Sequence, residues 1–341
     1  MKAAILTKPY QIQIQDVEKP VMQDRDVLIR VVFTGVCGSE LHAFQGTHTL
    51  RTPPVILGHE ISGEIVKIGS NVSKFVCGDR VTVFPLLGCG ECANCLEGSI
   101  NLCDKKVVLG TKQWQGSFAE YISVPEQAVY PLFDKVSLEA GAVIEPLAVA
   151  VHAVRKAGVT VGDKVLIMGG GTIGLCILLV TRQAGAFITI VTDVVEYNRK
   201  KALELGVTYS IDGKDEYLIP KCIEFTDGKG CDKTFITASA SHLVNQAIQL
   251  TRKKGTIMVL STYEDSVPLD IQKARSREQI VTGTTMYNHE DFRRAIDLVA
   301  ANIIDVSPLI TKVLKLSDAQ YSLELLQDRT ENFIKILLST T

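Results

Sequence analysis

Residues Val165 to Leu175 read VLIMGGGTIGL. The apolar run Val165 to Met168 has the look of a short buried strand, the glycines form a turn, and a helix starts at about Thr172. The glycine spacing is Gly169-x-Gly171-x-x-Gly174. Each glycine has a steric purpose at a dinucleotide site. Gly169 permits the tight turn, Gly171 lets the backbone approach a pyrophosphate, and Gly174 lets the helix pack against the strand with its N-terminus facing the phosphates. Nineteen residues beyond Gly174, Asp193 closes the segment ITIVTD. A carboxylate there accepts hydrogen bonds from the adenine ribose hydroxyls and repels a 2′-phosphate, which favours NAD over NADP. Gly169, Gly171, Thr172, Ile173, Gly174 and Asp193 are the candidate cofactor contacts. The competing reading is a glycine-rich loop in an α/β protein that binds no dinucleotide, with Asp193 a solvated strand end.

Downstream, strand patterns recur at Ile188 to Thr192, Lys233 to Thr237 and Thr256 to Ser261, alternating with helical spacing at Ile173 to Ala184, Tyr197 to Leu205 and His242 to Leu250. This alternation predicts a doubly wound parallel sheet, the Rossmann α/β architecture. Helical spacing at Leu138 to Ala157 leads into it. From Lys2 to about Val136 the texture differs: short alternating or β-branched segments (Ala3 to Leu6, Val27 to Phe33, Ile61 to Ile68, Arg80 to Phe84, Ala119 to Val124) lie between Gly, Pro and Asp turns, as in a mostly β domain. After about Thr285 come one amphipathic helix (Glu290 to Ala301) and one strand (Phe333 to Leu338), too little to stand alone. This remainder is expected to pack back on the first domain. The predicted division is 1–147 with 285–341 for the β-rich domain and 148–284 for the dinucleotide domain.

A chain of 341 residues suits two such domains at about 150 residues each. Thirty-six Lys and Arg against 38 Asp and Glu give a net charge of −2, so no excess of either sign points to nucleic acid or an acidic membrane. A small-molecule partner is expected instead. The N-terminus, MKAAILTKPYQIQIQD, turns polar too soon for a secretory signal, and the longest uncharged run, Val165 to Thr181, is interrupted by glycines and short for a membrane span. A reducing cytoplasm follows as the expected compartment.

Nine cysteines are the unusual count, and four of them follow the pattern Cys89-x-x-Cys92-x-x-Cys95-x₇-Cys103. Four thiolates around one tetrahedral Zn²⁺ close a site that staples a loop with little core of its own. A ferredoxin-type cluster is disfavoured, because its run places the fourth Cys three residues on and follows it with Pro, whereas here Asp104 follows. Cys77, Cys176, Cys222 and Cys231 are expected to be reduced thiols in the core or partly buried.

A second constellation bears on chemistry. Cys37-Gly38-Ser39-Glu40-Leu41-His42 begins 21 residues before Gly58-His59-Glu60, and Glu145, in the stretch EPLAVA, lies 85 residues beyond Glu60. Taken singly, Cys37 reads as a small apolar residue and His59-Glu60 as a surface pair. Together, mixed sulfur, imidazole and carboxylate donors suit a catalytic zinc with an open position.

The pattern Gly58-His59-Glu60-x-x-Gly63-x₅-Gly69-x-x-Val72 resembles the signature of zinc-containing alcohol dehydrogenases of the medium-chain dehydrogenase/reductase superfamily. The four-cysteine lobe, the GGGTIG turn and the C-terminal return occur in that family's order, so the resemblance spans essentially the whole chain. Glu60 after His59, and Glu145 in EPLAVA, make it most similar to the polyol, sugar-acid and threonine dehydrogenase branch. The resemblance implies a GroES-like catalytic domain and two zinc ions per chain. One would be structural, on Cys89, Cys92, Cys95 and Cys103; the other catalytic, on Cys37, His59 and a carboxylate, which is Glu60, Glu145 or both through water. It further implies hydride transfer between a secondary alcohol and NAD, a proton relay through Ser39 and His42, and a homotetramer, with a dimer as the alternative. The strand Thr256 to Ser261, near the end of the coenzyme sheet, is the expected surface for sheet extension across a two-fold axis.

Two departures stand out. The family usually has Asp where this chain has Glu40, a residue that commonly orients the zinc-bound imidazole. Several sugar-acid relatives carry an Arg after the equivalent of Gly283, where this chain has Thr284-Thr285-Met286-Tyr287, so a carboxylated substrate is less expected unless Arg51, Arg275 or Arg277 substitutes. Trp114 and Phe44 are either pocket-lining aromatics or simply packed. The expected function is oxidation of a sugar alcohol, cyclitol or sugar derivative with NAD. The alternatives are a threonine or amino-alcohol 3-dehydrogenase and, from a different class, a non-catalytic NAD(H)-sensing member of the fold.

Overall fold

The strand expected at Val165 runs Lys164–Met168 and lies near the middle of a six-stranded, all-parallel sheet. From edge to edge the order is Tyr209–Asp212, Ile188–Asp193, Lys164–Met168, Cys231–Ile236, Thr251–Val259 and Ile280–Gly283. Leu166 faces Ile190 on one side and Thr234 on the other, which places the change of winding direction next to the glycine turn. A crevice at the carboxyl ends of the strands at such a point is where this architecture binds nucleotides. Leu166, Met168, Ile190, Ile236 and Ile257 are fully buried, as expected for strands covered on both faces.

These coordinates, a computed structural model, describe residues 1–340. The sheet belongs to one compact unit, Pro146–Met286, and the second unit comprises Met1–Glu145 and the chain from Tyr287 onward. Among the described residues no helix is long and apolar enough to cross a membrane.

In the second unit the long strand Asp26–Val36 is the organiser. It pairs antiparallel with Glu60–Ile68, Tyr121–Pro125 and Lys335–Ser339, so both ends of the unit's sequence meet on one strand. Gly35 stands opposite Glu60 on one side and Leu337 on the other. A Cβ on Gly35 would collide with Glu60 Oε2, so this glycine is what allows a carboxylate to sit over the sheet.

Several expectations are corrected by these elements. Leu138 to Ala157 is two helices, Leu138–Ala142 and Ile144–Ala157, interrupted at Val143, rather than one. The strand expected at Thr256 begins at Thr251 and is interior, and the sheet edge is Ile280–Gly283, a four-residue segment too short to stand out by pattern. The strand Tyr209–Asp212 and the helices Leu218–Phe225 and Ala319–Asp328 were not marked by the sequence reading. None of the nine cysteines forms a disulfide; Cys176, Cys222 and Cys231 are buried, but Cys77 is exposed, contrary to its expected placement. Burial pushes the Cys222 thiol up to about 12, which keeps it protonated and inert.

Candidate active site

Cys37 is the N-cap of the helix Gly38–Gln45, where the long central strand ends. His59 directly precedes the strand Glu60–Ile68, and Glu145 lies in the first turn of Ile144–Ala157. These separate elements bring two triplets together around a shared imidazole, buried except for the partly exposed Cys37: Cys37, Glu40 and His59, and His59, Glu60 and Glu145, with ligand atoms in each triplet all within 4.8 Å of one another. His59 is 6% exposed, Glu60 1% and Glu145 5%.

Glu40, for all its extra methylene, reaches the histidine: its Oε1 lies 2.6 Å from His59 Nδ1, which leaves Nε2 to face a ligand. Its Oε2 accepts the Cys37 backbone N–H at 3.0 Å, so the same side chain caps the helix that presents the cysteine. Burial works against ionisation of Glu40, but the charge and hydrogen bond of His59, the Arg51 guanidinium and the Cys37 N–H outweigh it and hold its pKa at about 2.

The two other carboxylates are held by residues absent from the candidate set. Both oxygens of Glu60 accept from Lys335 Nζ, at 2.8 and 2.7 Å, and Lys335 donates its third bond to the Val36 carbonyl at 3.1 Å. Burial opposes the Lys335 ammonium, yet the negative charges of Glu60, Cys37 and Glu145 raise its pKa above the usual lysine range. Tyr287 is fully buried and its O–H donates to Glu145 Oε1 at 2.7 Å. Burial, then the neighbouring Glu60, raises the Glu145 pKa despite His59, Tyr287 and Lys335. The signal for Lys335 was a lone cation inside the apolar run FIKILL; Tyr287 appeared only as the last residue of the segment Thr284-Thr285-Met286-Tyr287.

Ser39 Oγ is buried with no hydrogen-bond partner among the described residues, and His42, three residues on along the same helix face, is partly exposed with Nδ1 3.5 Å from Thr47 Oγ1. Phe44 is 1% exposed and packs edge-on against Tyr10, and Trp114 donates its indole N–H to the Ser123 carbonyl. Phe44 is a packing residue, whereas Trp114 is partly exposed and lines a cavity together with Val55, Ile56 and Ser123. Arg275 and Arg277 belong to the unit with the parallel sheet, where Arg277 Nη2 donates to the Thr251 carbonyl at 2.7 Å.

The ligand atoms of Cys89, Cys92, Cys95 and Cys103 lie within 4.8 Å of one another, with Cys89 and Cys95 Sγ 3.9 Å apart. Backbone N–H groups of Glu91 and Cys92 pull the Cys89 thiol down to about 6, so a ready thiolate is present at neutral pH. Four sulfurs at this spacing fit a closed tetrahedral zinc, and the partly exposed Cys37 with the buried His59 and carboxylates fits a second zinc with an open position.

In the other unit, Gly169 turns with φ +117° and a Cβ on Gly174 would collide with the Gly169 carbonyl oxygen. A Cβ on Gly171 would meet nothing, which leaves room for a phosphate at that position. The helix Thr172–Gln183 has no side chain capping its N-terminus, and Thr172 and Ile173 are partly exposed in its first turn. Its first N–H groups are therefore suited to an anion. Asp193 accepts from Gly170 N at 2.6 Å, Val195 N at 2.7 Å and Asn198 Nδ2 at 3.1 Å, so it braces the turn.

Comparison with known proteins places this geometry in context. The family models "Alcohol dehydrogenase GroES-like domain" and "Zinc-binding dehydrogenase" match residues 23–134 and 172–301. The chain is similar to D-arabitol-phosphate dehydrogenase of Enterococcus avium, 36% identical over 97% of this chain and 94% of that one. It is 32% identical to sorbitol dehydrogenase of Bacillus subtilis, over 98% of this chain and 94% of that one. The crystal structure of 2R,3R-butanediol dehydrogenase from Bacillus subtilis superposes with a TM-score of 0.92 at 31% identity, covering 100% and 99% of the two chains.

Proposed function

The chain belongs to the zinc-containing alcohol dehydrogenases of the medium-chain superfamily, and from that membership we propose that it oxidises a secondary hydroxyl of a polyol, reversibly, with NAD. The observation that carries this is the single imidazole of His59 shared by Cys37 on one side and two buried carboxylates on the other, a donor set unlike the four-sulfur cluster elsewhere in the same unit. D-arabitol phosphate, sorbitol and 2R,3R-butanediol, in the names of the three relatives, all have a hydroxyl adjacent to a secondary alcohol. A vicinal diol is therefore the substrate feature we assign, in preference to threonine.

Zinc held by Cys37, His59 and Glu60 or Glu145 would supply Lewis-acid polarisation of the substrate oxygen. The remaining work falls to the chain's own groups. Ser39 Oγ, buried with no hydrogen-bond partner among the described residues, accepts the hydroxyl proton as it gives up its own, and the partly exposed His42 passes that proton towards solvent. Glu40 keeps His59 Nδ1 engaged, which fixes the ring's orientation. Gly169 to Gly174 receive the pyrophosphate, and Asp193 the adenine ribose. Residues 1–147 with 285–341 would then be the catalytic domain and 148–284 the coenzyme domain. The location we assign is the cytoplasm, where a reducing environment keeps nine cysteines as thiols, and the exposed edge strand Ile280–Gly283, with Ile280 58% exposed, supports assembly into a homotetramer or dimer.

The test is a screen of polyols, polyol phosphates, cyclitols, butanediols and threonine with NAD and with NADP, followed by nicotinamide absorbance. Activity confined to threonine would replace the diol assignment, and no activity on any secondary alcohol would favour an NAD(H) sensor. Elemental analysis gives an independent expectation of about two zinc per chain, falling to about one in Cys89→Ser. Asp193→Ser is expected to raise the NADP to NAD ratio of kcat/KM by at least about tenfold, through loss of one charge repulsion and one bidentate acceptor. An unchanged ratio would mean that the ribose contact lies elsewhere.

A further inference from the structure

Arg51 lies outside the motifs that define the site, yet its side chain is only 6% exposed and ends beside Glu40. The guanidinium is fastened at two points. Nη2 donates to the Leu109 carbonyl at 3.3 Å, and Nη1 lies 3.1 Å from His48 Nε2. His48 is tied to the same loop, its Nδ1 accepting the backbone N–H groups of Leu50 and Arg51. The third nitrogen, Nε, is buried, makes no hydrogen bond among the described residues and lies 3.9 Å from Glu40 Oε1.

That oxygen is the one on His59 Nδ1, while Oε2 is held by the Cys37 N–H. Glu40 thus stands between a buried cation and the imidazole of the candidate metal set. A glutamate has one more side-chain torsion to immobilise than the aspartate usual at this position, and a buried carboxylate needs a compensating charge. Arg51 meets both needs, because its own position is set by Leu109 and His48 rather than by Glu40.

We propose that Arg51 is a positioning residue, the fixed cation that keeps the Glu40 carboxylate on His59 and so sets how tightly the catalytic zinc is held. This rests on the reading of Cys37 and His59 as zinc ligands. Partners that orient a ligating histidine typically change metal affinity by roughly 10–100-fold.

The experiment titrates the two-zinc enzyme with EDTA and follows retained zinc by elemental analysis. In Arg51→Met the catalytic zinc should leave at a chelator concentration roughly 10–100-fold lower than in the wild type, with the four-cysteine zinc unaffected. Arg51→Lys should fall between, since it keeps the charge and loses the planar fork. In a Glu40→Gln background the further shift from Arg51→Met should be no more than about twofold, because the group through which Arg51 acts is already neutral. Wild-type zinc retention in Arg51→Met, or a full shift in the Glu40→Gln background, would overturn the assignment and leave Arg51 as packing. If Arg51→Met does not fold, Arg51→Lys decides: looser catalytic zinc supports the proposal and unchanged retention overturns it. A wild-type chain carrying only the four-cysteine zinc would overturn the functional reading itself, and the Arg51 assignment with it.

Discussion

Replacing Cys37 with Ser is expected to abolish turnover while leaving dinucleotide binding nearly intact. The thiol is the single sulfur among the candidate catalytic ligands, next to the imidazole of His59, and a serine hydroxyl neither ionises near neutral pH nor matches the softness of a thiolate. Loss of Lewis-acid stabilisation is worth several kcal/mol, which corresponds to a fall in kcat of roughly 10³-fold or more. The glycine turn and Asp193 lie in a different compact unit from Cys37, so NAD titration should give a dissociation constant within about twofold of the wild type. Zinc content should drop from about two to about one per chain. If kcat stays within tenfold of the wild type, Cys37 is not part of the chemistry; if NAD binding disappears as well, the variant has unfolded.

The second large effect is expected at Lys335, and it concerns stability first. Lys335 is 2% exposed and makes three hydrogen bonds, two to Glu60 and one to the Val36 carbonyl. Lys335→Met keeps the length and the apolar stem but leaves the Glu60 carboxylate, 1% exposed, without its cation. Breaking one side of a buried ion pair typically costs about 3–5 kcal/mol. For a unit of this size that amounts to a fall in Tm of roughly 10 °C, at about 2–4 °C per kcal/mol. Thermal unfolding of the zinc-loaded protein would measure it. The double variant with Glu60→Gln should recover a large part of the loss, because the neutral amide removes the orphaned charge. A Tm for Lys335→Met within about 2 °C of the wild type would show that the pair contributes no net stability.

The contrast between Cys37 and Lys335 shows where local reading of this chain stops. Cys37, His59, Glu60 and the four cysteines announce themselves because ligating side chains are rare types at characteristic spacings. The glycine turn does so because its backbone geometry excludes other residues at Gly169 and Gly174. Lys335 and Tyr287 carry no such spacing. They reach Glu60 and Glu145 across sequence separations of 275 and 142 residues, and such partnerships are set by strand pairing and helix placement alone. Arg51 is, in sequence, one of three arginines that could substitute at a substrate carboxylate, and the fold closes it between Glu40, His48 and Leu109.

The residue pattern was sufficient for the architecture, since hydrophobic period, glycine sterics and ligand spacing are all local properties of the chain. It predicted the parallel sheet, the mostly β partner unit and the two zinc sets. It misjudged the edge of the sheet, because Ile280–Gly283 is four residues long and becomes an edge only through its pairing with Thr251–Val259. It was also silent on how the buried charges are balanced. Charge balance depends on which side chains converge after folding: Lys335 on Glu60, Tyr287 on Glu145 and Arg51 beside Glu40. In a buried, weakly polarisable site those encounters set the energies, and only the tertiary fold brings them about.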